Sequence, residues 1–224
     1  MVYAIATRFE MPLTYQGTFG RPFSCPCRFP YLQRMKTEKE KMLAGELYDA
    51  LDPQLAEERL QARFLLKELN DSAADETEEM SRILQQLLPH AGAGLWIQPP
   101  FYCDYGYNIR IGEKVFLNFN CVILDVMQVT IGSRTLLGPN VQVFSATHPL
   151  DPVQRASGLE FAKPVTIGAD VWIGGGAVIC PGVTIGDRSV IGAGSVVARD
   201  IPSDVFAAGN PCRVVRQIDS VTNG

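Results

Sequence analysis

The sequence predicts a mainly β protein, a parallel β-helix built from hexapeptide repeats and preceded by a small helical subdomain. Two observations lead to this prediction. Aliphatic residues recur at every sixth position over much of the chain beyond Tyr105, and apolar residues recur at helical spacing before it. The 20 glycines and 15 prolines of the 224-residue chain also suit a turn-rich β protein better than a helical bundle.

The first 34 residues show neither pattern. Residues 1–34 carry four arginines, one glutamate, and prolines at positions 12, 22, 26 and 30. Prolines at this density break both helices and strands, so we expect a disordered or extraneous tail upstream of a start at Met35. A mitochondrial transit peptide is the alternative for this arginine-rich stretch, although the prolines prevent a long amphipathic helix.

Residues 35–92 are predicted to form the helical subdomain. Thr37 followed by Glu40 is the signature of a capping box at a helix N-terminus. Apolar residues then recur at helical spacing in three runs, namely Met42, Leu43, Leu47 and Tyr48; Leu55, Leu60, Phe64, Leu65 and Leu69; and Met80, Ile83, Leu84, Leu87 and Leu88. Helices this short do not form a core alone, so we expect them to pack against the region that follows.

Residues 93–216 carry the hexapeptide repeat, with an excursion at residues 149–166 and a C-terminal tail at 217–224. Thirteen hexads open on an apolar residue, namely Tyr105, Ile111, Leu117, Ile123, Ile131, Leu137, Val143, Ile167, Ile173, Ile179, Ile185, Ile191 and Val197. A period of six is typical of a parallel β-helix, in which three short strands make a triangular coil around the stacked apolar residues. Glycine commonly takes the second position, where we expect tight turns or positive φ angles.

Composition excludes several classes of protein. The net charge of −4 and the 20% of charged residues indicate neither bulk disorder nor a nucleic-acid-binding surface, and no apolar run is long enough to span a membrane. Only two histidines are present, His90 and His148, so one chain cannot build a three-histidine metal site. Six cysteines without paired spacing indicate reduced thiols and a cytoplasmic protein.

Several motifs together resemble those of the maltose and galactoside O-acetyltransferase family. They include Thr37-Glu-Lys-Glu-Lys-Met-Leu-Ala-Gly-Glu-Leu-Tyr48, Cys103-Asp-Tyr-Gly-Tyr-Asn-Ile109, Asn118-Phe-Asn120, Thr147-His-Pro149, Val171-Trp-Ile-Gly-Gly175 and Gly209-Asn-Pro-Cys-Arg213. The resemblance covers roughly residues 36–216. It implies a left-handed β-helix and a homotrimer with active sites between subunits. It also implies acetyl-CoA as donor, a sugar hydroxyl as acceptor (the 6-OH of maltose, glucose or a related glycoside), and chemistry without a metal.

His148 is the predicted catalytic base, because it stands in the Thr-His-Pro motif that the family uses for its base. Histidine suits this task since its pKa lies near neutral pH. The predicted reaction is direct: His148 takes the proton of the sugar hydroxyl as its oxygen attacks the acetyl carbonyl. Glu160 in the excursion is a hypothetical partner that orients His148. His90 is expected to be a solvated cation at a helix end.

The oxyanion that develops on the carbonyl needs a fixed hydrogen-bond donor. The resemblance assigns this donor to Gly175, although Gly174-Gly-Gly176 is equally explained as a tight corner of the coil. A covalent acyl-cysteine is the competing mechanism. Cys121 and Cys180 lie inside the coil run and are expected to be unreactive, and the family motif does not use Cys103 as a nucleophile.

The resemblance also assigns residues to both substrates. Asp104 and Asn118 match acceptor contacts, and Asp125 is a third acceptor contact whose alignment is offset by one residue. Their alternative role is turn formation, since Asp and Asn suit coil corners.

For coenzyme A, the resemblance gives Ala193 as a backbone contact. Arg199, Arg213 and Arg216 are the predicted phosphate ligands, because guanidinium groups bind phosphates through paired hydrogen bonds. Trp172 is expected to be a packing residue.

One departure from the family leaves the acceptor open. An aspartate that contacts the sugar in galactoside enzymes aligns here with Ala50, so Asp49 or Asp52 would have to replace it. The alternatives are an acyltransferase of the same fold for an amino sugar, an antibiotic or serine, and a non-catalytic scaffold. A hexapeptide-type carbonic anhydrase needs three histidines and is excluded.

Overall fold

The computed structural model describes residues 34–73, 75 and 77–219. The predicted N-terminal tail lies outside the described residues as far as residue 33, and so do residues 220–224 of the predicted C-terminal tail. The helices are α1 (Glu38–Leu43), α2 (Pro53–Asp71), α3 (Thr77–Leu87) and α4 (Pro152–Arg155). The strands are β1 (Tyr48–Asp49), β2 (Trp96–Ile97), β3 (Phe101–Cys103), β4 (Ile109–Ile111), β5 (Phe116–Leu117), β6 (Cys121–Leu124), β7 (Val129–Ile131), β8 (Leu136–Leu137), β9 (Gln142–Phe144), β10 (Ala146–Thr147), β11 (Leu159–Ala162), β12 (Val165–Ile167), β13 (Trp172–Ile173), β14 (Val178–Ile179), β15 (Thr184–Ile185), β16 (Val190–Ile191), β17 (Val196–Val197), β18 (Val205–Ala208) and β19 (Arg213–Gln217).

The first helix begins where the sequence predicts. The Thr37 side chain accepts a hydrogen bond from the Glu40 N–H, and the Glu40 carboxylate accepts one from the Thr37 N–H, so the capping box is confirmed. The Asp52 side chain caps α2 by accepting hydrogen bonds from the Gln54 and Leu55 N–H groups, and Pro53 is the first residue of this helix. One detail of α2 differs from the apolar spacing. Its buried face consists of Leu55, Ala62, Leu66 and Leu69, whereas Leu60 and Phe64 are exposed. Ala62 lies in the main core cluster together with Leu66 and Leu69.

The strands form a triangular coil, and the predicted hexapeptide β-helix with a helical subdomain before it is confirmed. Face 1 contains β2, β5, β8, β13, β16 and β18 in parallel, closed by the antiparallel β19. Face 2 contains β3, β6, β9, β14 and β17, and face 3 contains β4, β7, β12 and β15. In every coil the chain passes from face 1 to face 2 at a bend that we call corner 1–2, and from face 2 to face 3 at a bend that we call corner 2–3. The corners of successive coils therefore stack one upon the next.

The hexad residues fill the interior of the coil. From Ile111 onward every residue that opens a predicted hexad is buried in one core cluster. Tyr105 is the exception, because it packs in a second cluster with Met42, Tyr48 and Leu55 of the helical subdomain. The periodicity therefore predicts the interior correctly but cannot distinguish a coil position from a corner that faces another element.

The repeated glycines have a steric cause. At the second hexad position a Cβ on Gly132 would lie 2.4 Å from the Ala169 N atom, and one on Gly186 would lie 2.4 Å from the Ser203 N atom. Backbone of the next coil thus excludes a side chain there. Positive φ angles occur instead at charged corner residues such as Arg134 (59°) and Arg188 (57°). The second-position glycines therefore serve tight turns, as expected, and the alternative expectation that they supply positive φ is wrong.

A small antiparallel sheet joins the helical subdomain to the coil. The excursion after β9 contains β10, α4 and β11, and β11 pairs with β10 on one side and with β1 on the other. This pairing sets Tyr48 opposite Glu160 and Thr147 opposite Phe161. The residue after β10 is His148, so the sheet fixes where the predicted base leaves the coil.

The outward side chains differ between the faces of the coil. On face 1 they form an apolar column in register, consisting of Trp96, Phe116, Leu136, Trp172, Val190 and Phe206. Trp96 is 54% exposed and Trp172 is 55% exposed, so the expectation that Trp172 is packed within the chain is wrong. On face 3 the corresponding column is polar and consists of Arg110, Thr130, Thr166 and Thr184.

Candidate active site

His148 lies at corner 2–3, immediately after β10, and its side chain is exposed. Glu160 on the neighbouring strand accepts a hydrogen bond from the Tyr48 hydroxyl at 3.0 Å. Among the described residues, no hydrogen bond or ion pair joins Glu160 to His148. Burial and the Glu160 carboxylate raise the pKa of Tyr48, so this hydroxyl remains a donor at neutral pH.

Asp104 lies at the same corner, in the turn that follows β3. Its side chain is half-buried, and within the described part of the chain its carboxylate has no hydrogen-bonding partner. Burial and the nearby Glu160 raise its pKa, while Arg59 and Arg63 act in the opposite direction. A carboxylate without a partner at the mouth of a polar corner is chemically suited to accept hydrogen bonds from a bound molecule.

Asp125 lies one coil further along corner 2–3 and is 0% exposed. Its Oδ1 atom accepts hydrogen bonds from the N–H groups of Asp104 and Tyr105 at 2.9 Å each, and its Oδ2 atom accepts one from the Asn108 N–H at 3.3 Å. Burial raises the pKa of Asp125 to about 6, while these N–H groups lower it. Since none of its surface is exposed, the predicted contact of Asp125 with the acceptor is not supported.

The helical subdomain adds an arginine that sequence reasoning missed. The Arg59 guanidinium donates to the Tyr105 hydroxyl at 2.7 Å and to the Ala50 carbonyl oxygen at 2.5 Å. It also lowers the pKa of Asp104 against the effect of burial. The sequence carries no signal for this contact, because Arg59 on α2 and Tyr105 after β3 are 46 residues apart.

Corner 1–2 holds the residues predicted for oxyanion and coenzyme binding. Gly175 and Ala193 occupy the same position of successive coils, since the backbone of Ala193 lies directly against Gly174. In each coil a turn closes behind them, from Ala177 N–H to the Gly174 carbonyl and from Ser195 N–H to the Gly192 carbonyl. Within the described part of the chain, the Gly175 and Ala193 N–H groups have no hydrogen-bonding partner. Two free backbone donors therefore stand in one column.

Asn118 also lies at corner 1–2, two coils before Gly175. Its side-chain oxygen accepts a hydrogen bond from the Phe119 N–H at 2.8 Å, which leaves the side-chain amide nitrogen available as a donor. The structure therefore brings Asn118 to the corner of the predicted coenzyme residues and separates it from Asp104.

The three predicted phosphate ligands divide between two places. Arg213 and Arg216 are exposed on β19, where Arg213 pairs with Ala208 at the end of the Gly175–Ala193 column. The Arg216 guanidinium lies over the Phe206 ring at 6.0 Å from the ring centre. Arg199 is exposed after β17, at corner 2–3.

The described cysteines are poor candidates for a nucleophile. Cys103 and Cys121 are buried, and burial raises the pKa of both thiols, that of Cys121 to about 11. Burial also raises the pKa values of Cys180 and Cys212. Because the thiolate is the nucleophilic form, these sites are unsuited to an acyl-cysteine intermediate.

Beyond the two corners, the described residues could carry three other kinds of site: a metal site, a membrane-spanning helix or a groove. In residues 34–73, 75 and 77–219 no group of three His, Cys, Asp or Glu side chains is arranged to hold a metal ion. No helix in that part of the chain is long and apolar enough to cross a membrane. A groove of about 800 Å³ lies between α3 and the first coil, lined by Met80, Leu84, Trp96 and Phe119 among others, and contains none of the predicted site residues.

The fold and these two corners define a class of protein, the hexapeptide-repeat acetyltransferases. Residues 41–92 match the family model of the maltose acetyltransferase hexapeptide capping motif, and residues 164–199 match that of the bacterial transferase hexapeptide with six repeats. The chain belongs to the maltose and galactoside O-acetyltransferase family within that class.

Three relatives carry this assignment. Nodulation protein L of Rhizobium meliloti is 54% identical over 80% of this chain and 98% of the relative. The crystal structure of a maltose O-acetyltransferase from Clostridium difficile 630 superposes with a TM-score of 0.82 at 49% identity, covering 83% of this chain and 99% of that one. A galactoside acetyltransferase in complex with coenzyme A superposes with a TM-score of 0.80 at 43% identity, covering 83% and 92%.

Proposed function

We propose that this protein is an acetyl-CoA-dependent O-acetyltransferase that transfers an acetyl group to a sugar hydroxyl, the 6-OH of maltose, glucose or a related glycoside. The observation that carries the proposal is the column of free backbone donors at Gly175 and Ala193, which ends beside Arg213. An extended pantetheine arm needs such backbone partners, and its phosphates need a cation. The coenzyme A that is bound in the structure of a similar galactoside acetyltransferase also supports acetyl-CoA as the donor.

The reaction follows from the two corners. His148 accepts the proton of the sugar hydroxyl as the oxygen attacks the acetyl carbonyl. The Gly175 N–H donates a hydrogen bond to the oxyanion that forms. This hydrogen bond stabilises the transition state most when the donor is already held in position. The thioester bond then breaks, and the proton on His148 goes to the departing thiolate. Asp104 and Asn118 hold the sugar hydroxyls, and Arg199, Arg213 and Arg216 hold the phosphates of the coenzyme.

The division of these residues between two corners supports a homotrimer with active sites between subunits. His148 and Asp104 lie beyond one end of face 2, and Asn118, Gly175 and Ala193 lie at its other end. At about 3.3 Å per residue, a face is on the order of 10 Å wide. One acetyl group must lie within about 3 Å of both the base and the oxyanion donor. Corner 2–3 of one subunit therefore meets corner 1–2 of the next.

The apolar column on face 1 supports the same assembly. A contiguous apolar surface whose side chains Trp96, Leu136 and Trp172 are exposed is typical of a protein interface. Burial of this column between copies brings neighbouring coils side by side, which is the arrangement that a shared site requires.

The decisive test is thiol release from acetyl-CoA over a panel of sugars. Substitution of the base, His148→Ala, is expected to lower kcat by roughly 10²–10⁴-fold with little change in coenzyme binding. His90→Ala is the matched control, because this histidine is exposed after α3 and lies at neither corner.

Each outcome has a consequence. Equal thiol release by wild type and His148→Ala would remove His148 as the base. Turnover of an amino sugar, an antibiotic or serine in preference to neutral sugars would change the acceptor. Failure of the wild type to bind acetyl-CoA would leave a non-catalytic scaffold.

A further inference from the structure

The turn after β3, residues 104–108, carries Asp104 and is held from below by one side chain. Asp125 accepts hydrogen bonds from three N–H groups of this turn, those of Asp104, Tyr105 and Asn108. The Asn108 side chain returns a hydrogen bond to the Asp125 carbonyl oxygen at 2.8 Å. The turn is thus pinned to the next coil by side chain and backbone of a single residue.

Within the described part of the chain, the Asp125 carboxylate makes no hydrogen bonds besides these three. Asp125 is fully buried, and a charge without partners would be strongly unfavourable in that position. Among the described residues it forms no ion pair. Its neighbours with ionisable groups are Cys103, Asp104, Tyr105 and Tyr107, all from β3 and the turn after it. The three N–H groups of the turn offset the cost of burying the Asp125 carboxylate. The conformation of the turn therefore stabilises the negative charge of Asp125.

The contacts of Asp125 affect corner 2–3 through two residues of the turn, Asp104 and Tyr105. The N–H of Asp104 itself is one of the three donors, so the position of its free carboxylate depends on Asp125. The next residue, Tyr105, receives the Arg59 hydrogen bond and ties the same turn to α2. No other described side chain holds more than one N–H of this turn.

We propose that Asp125 is a positioning residue for the acceptor, which acts by fixing the turn that presents Asp104 and does not touch the sugar. The inference rests on the proposed function, because it takes Asp104 as an acceptor contact. It replaces the direct sugar contact predicted for Asp125 with an indirect role that its burial allows.

The test compares Asp125→Asn with Asp187→Asn. Asp187 is the matched control, because its Oδ1 atom also accepts a backbone N–H from the preceding coil, that of Ala169 at 2.8 Å, but on the far side of face 3. Asp125→Asn is expected to lower kcat/KM for the sugar by roughly 10- to 100-fold, since small misplacement of a contact has effects of this size. KM for acetyl-CoA is expected to change by less than about twofold.

A second measurement is independent of activity. Amide hydrogen exchange is expected to accelerate at residues 104, 105 and 108 in Asp125→Asn, while the amides of β14 and β17 keep wild-type protection. Equal loss of activity in both variants, or equal effects on both substrates, would overturn the positioning role. Unchanged exchange in the turn would overturn it as well. If the wild type acetylates no sugar, the proposed function fails, and exchange alone decides whether Asp125 holds the turn.

Discussion

Single residues in this molecule are constrained by the backbone of the neighbouring coil. Gly112, Gly132, Gly168 and Gly186 stack at one position of successive turns, and a Cβ at any of them would meet backbone or side-chain atoms of the next turn at 2.5 Å or less. Contact distances this short cannot be relieved by rotating a side chain when the opposing atom is a backbone nitrogen. The sequence keeps glycine there because the coils are only one strand spacing apart.

Gly132→Ala is therefore expected to lower the free energy of unfolding by about 3 kcal/mol. The added methyl group would press on the Ala169 backbone and stretch the coil-to-coil hydrogen bond from Gly132 N–H to the Ile167 carbonyl. Gly158→Ala is the control, because that glycine has positive φ but open space around it, and about 1 kcal/mol is expected. Chemical denaturation measures both. Equal losses would show that conformation, not coil contact, limits these positions.

At the scale of elements, the excursion is the link between two parts with different periodicity. β11 is only four residues long, yet it pairs with β1 of the helical subdomain and with β10, which follows the coil strand β9. Its central contact between side chains is the hydrogen bond from Tyr48 to Glu160, across 112 residues of sequence. The sheet thereby sets the helical subdomain beside corner 2–3.

Tyr48→Phe is expected to lower the free energy of unfolding by about 1 kcal/mol, because it removes this hydrogen bond and leaves the Glu160 carboxylate without its donor. Tyr102→Phe is the matched control, since the Tyr102 side chain is 49% exposed and no hydrogen bond of its hydroxyl occurs within the described residues. Urea denaturation of the two variants gives the comparison. A Tyr48→Phe variant as stable as wild type would mean that the strand pairing alone holds β11 in place.

At the scale of the whole molecule, the candidate site residues of a single chain lie at two separate corners of the coil. His148 and Asp104 stand at corner 2–3, and Asn118 and the backbone donors of Gly175 and Ala193 stand at corner 1–2. The face 1 column is exposed at Trp96, Leu136 and Trp172. An assembly that covers face 1 and joins unlike corners accounts for all three features together.

Trp172→Glu is expected to convert the proposed homotrimer to monomers and to abolish acetyl transfer, because a charge placed in the centre of the apolar column disfavours its burial. Thr166→Glu on polar face 3 is the control and is expected to keep both assembly and activity. Sedimentation velocity and thiol release measure the two properties. Monomers that retain full activity would contradict a site shared between subunits.

The sequence by itself determined the repeat and the chemistry that a family resemblance could transfer. A period of six is visible in residues such as Ile167, Ile173 and Ile179 because each coil meets only its neighbours, so local spacing dictates the fold. The capping box at Thr37 is equally local. His148 and Gly175 could be named as candidates because each stands in a short, recognisable motif.

Only the tertiary structure decided which groups act together. Tyr48 meets Glu160 through the pairing of β1 with β11, and Arg59 on α2 meets Tyr105 at corner 2–3. No periodic signal links segments so far apart. Asp125 is fully buried, and its carboxylate contacts the turn of Asp104. The physical reason is that stacking in a β-helix is set by neighbours in sequence, whereas the contents of a site depend on where an excursion returns to the coil.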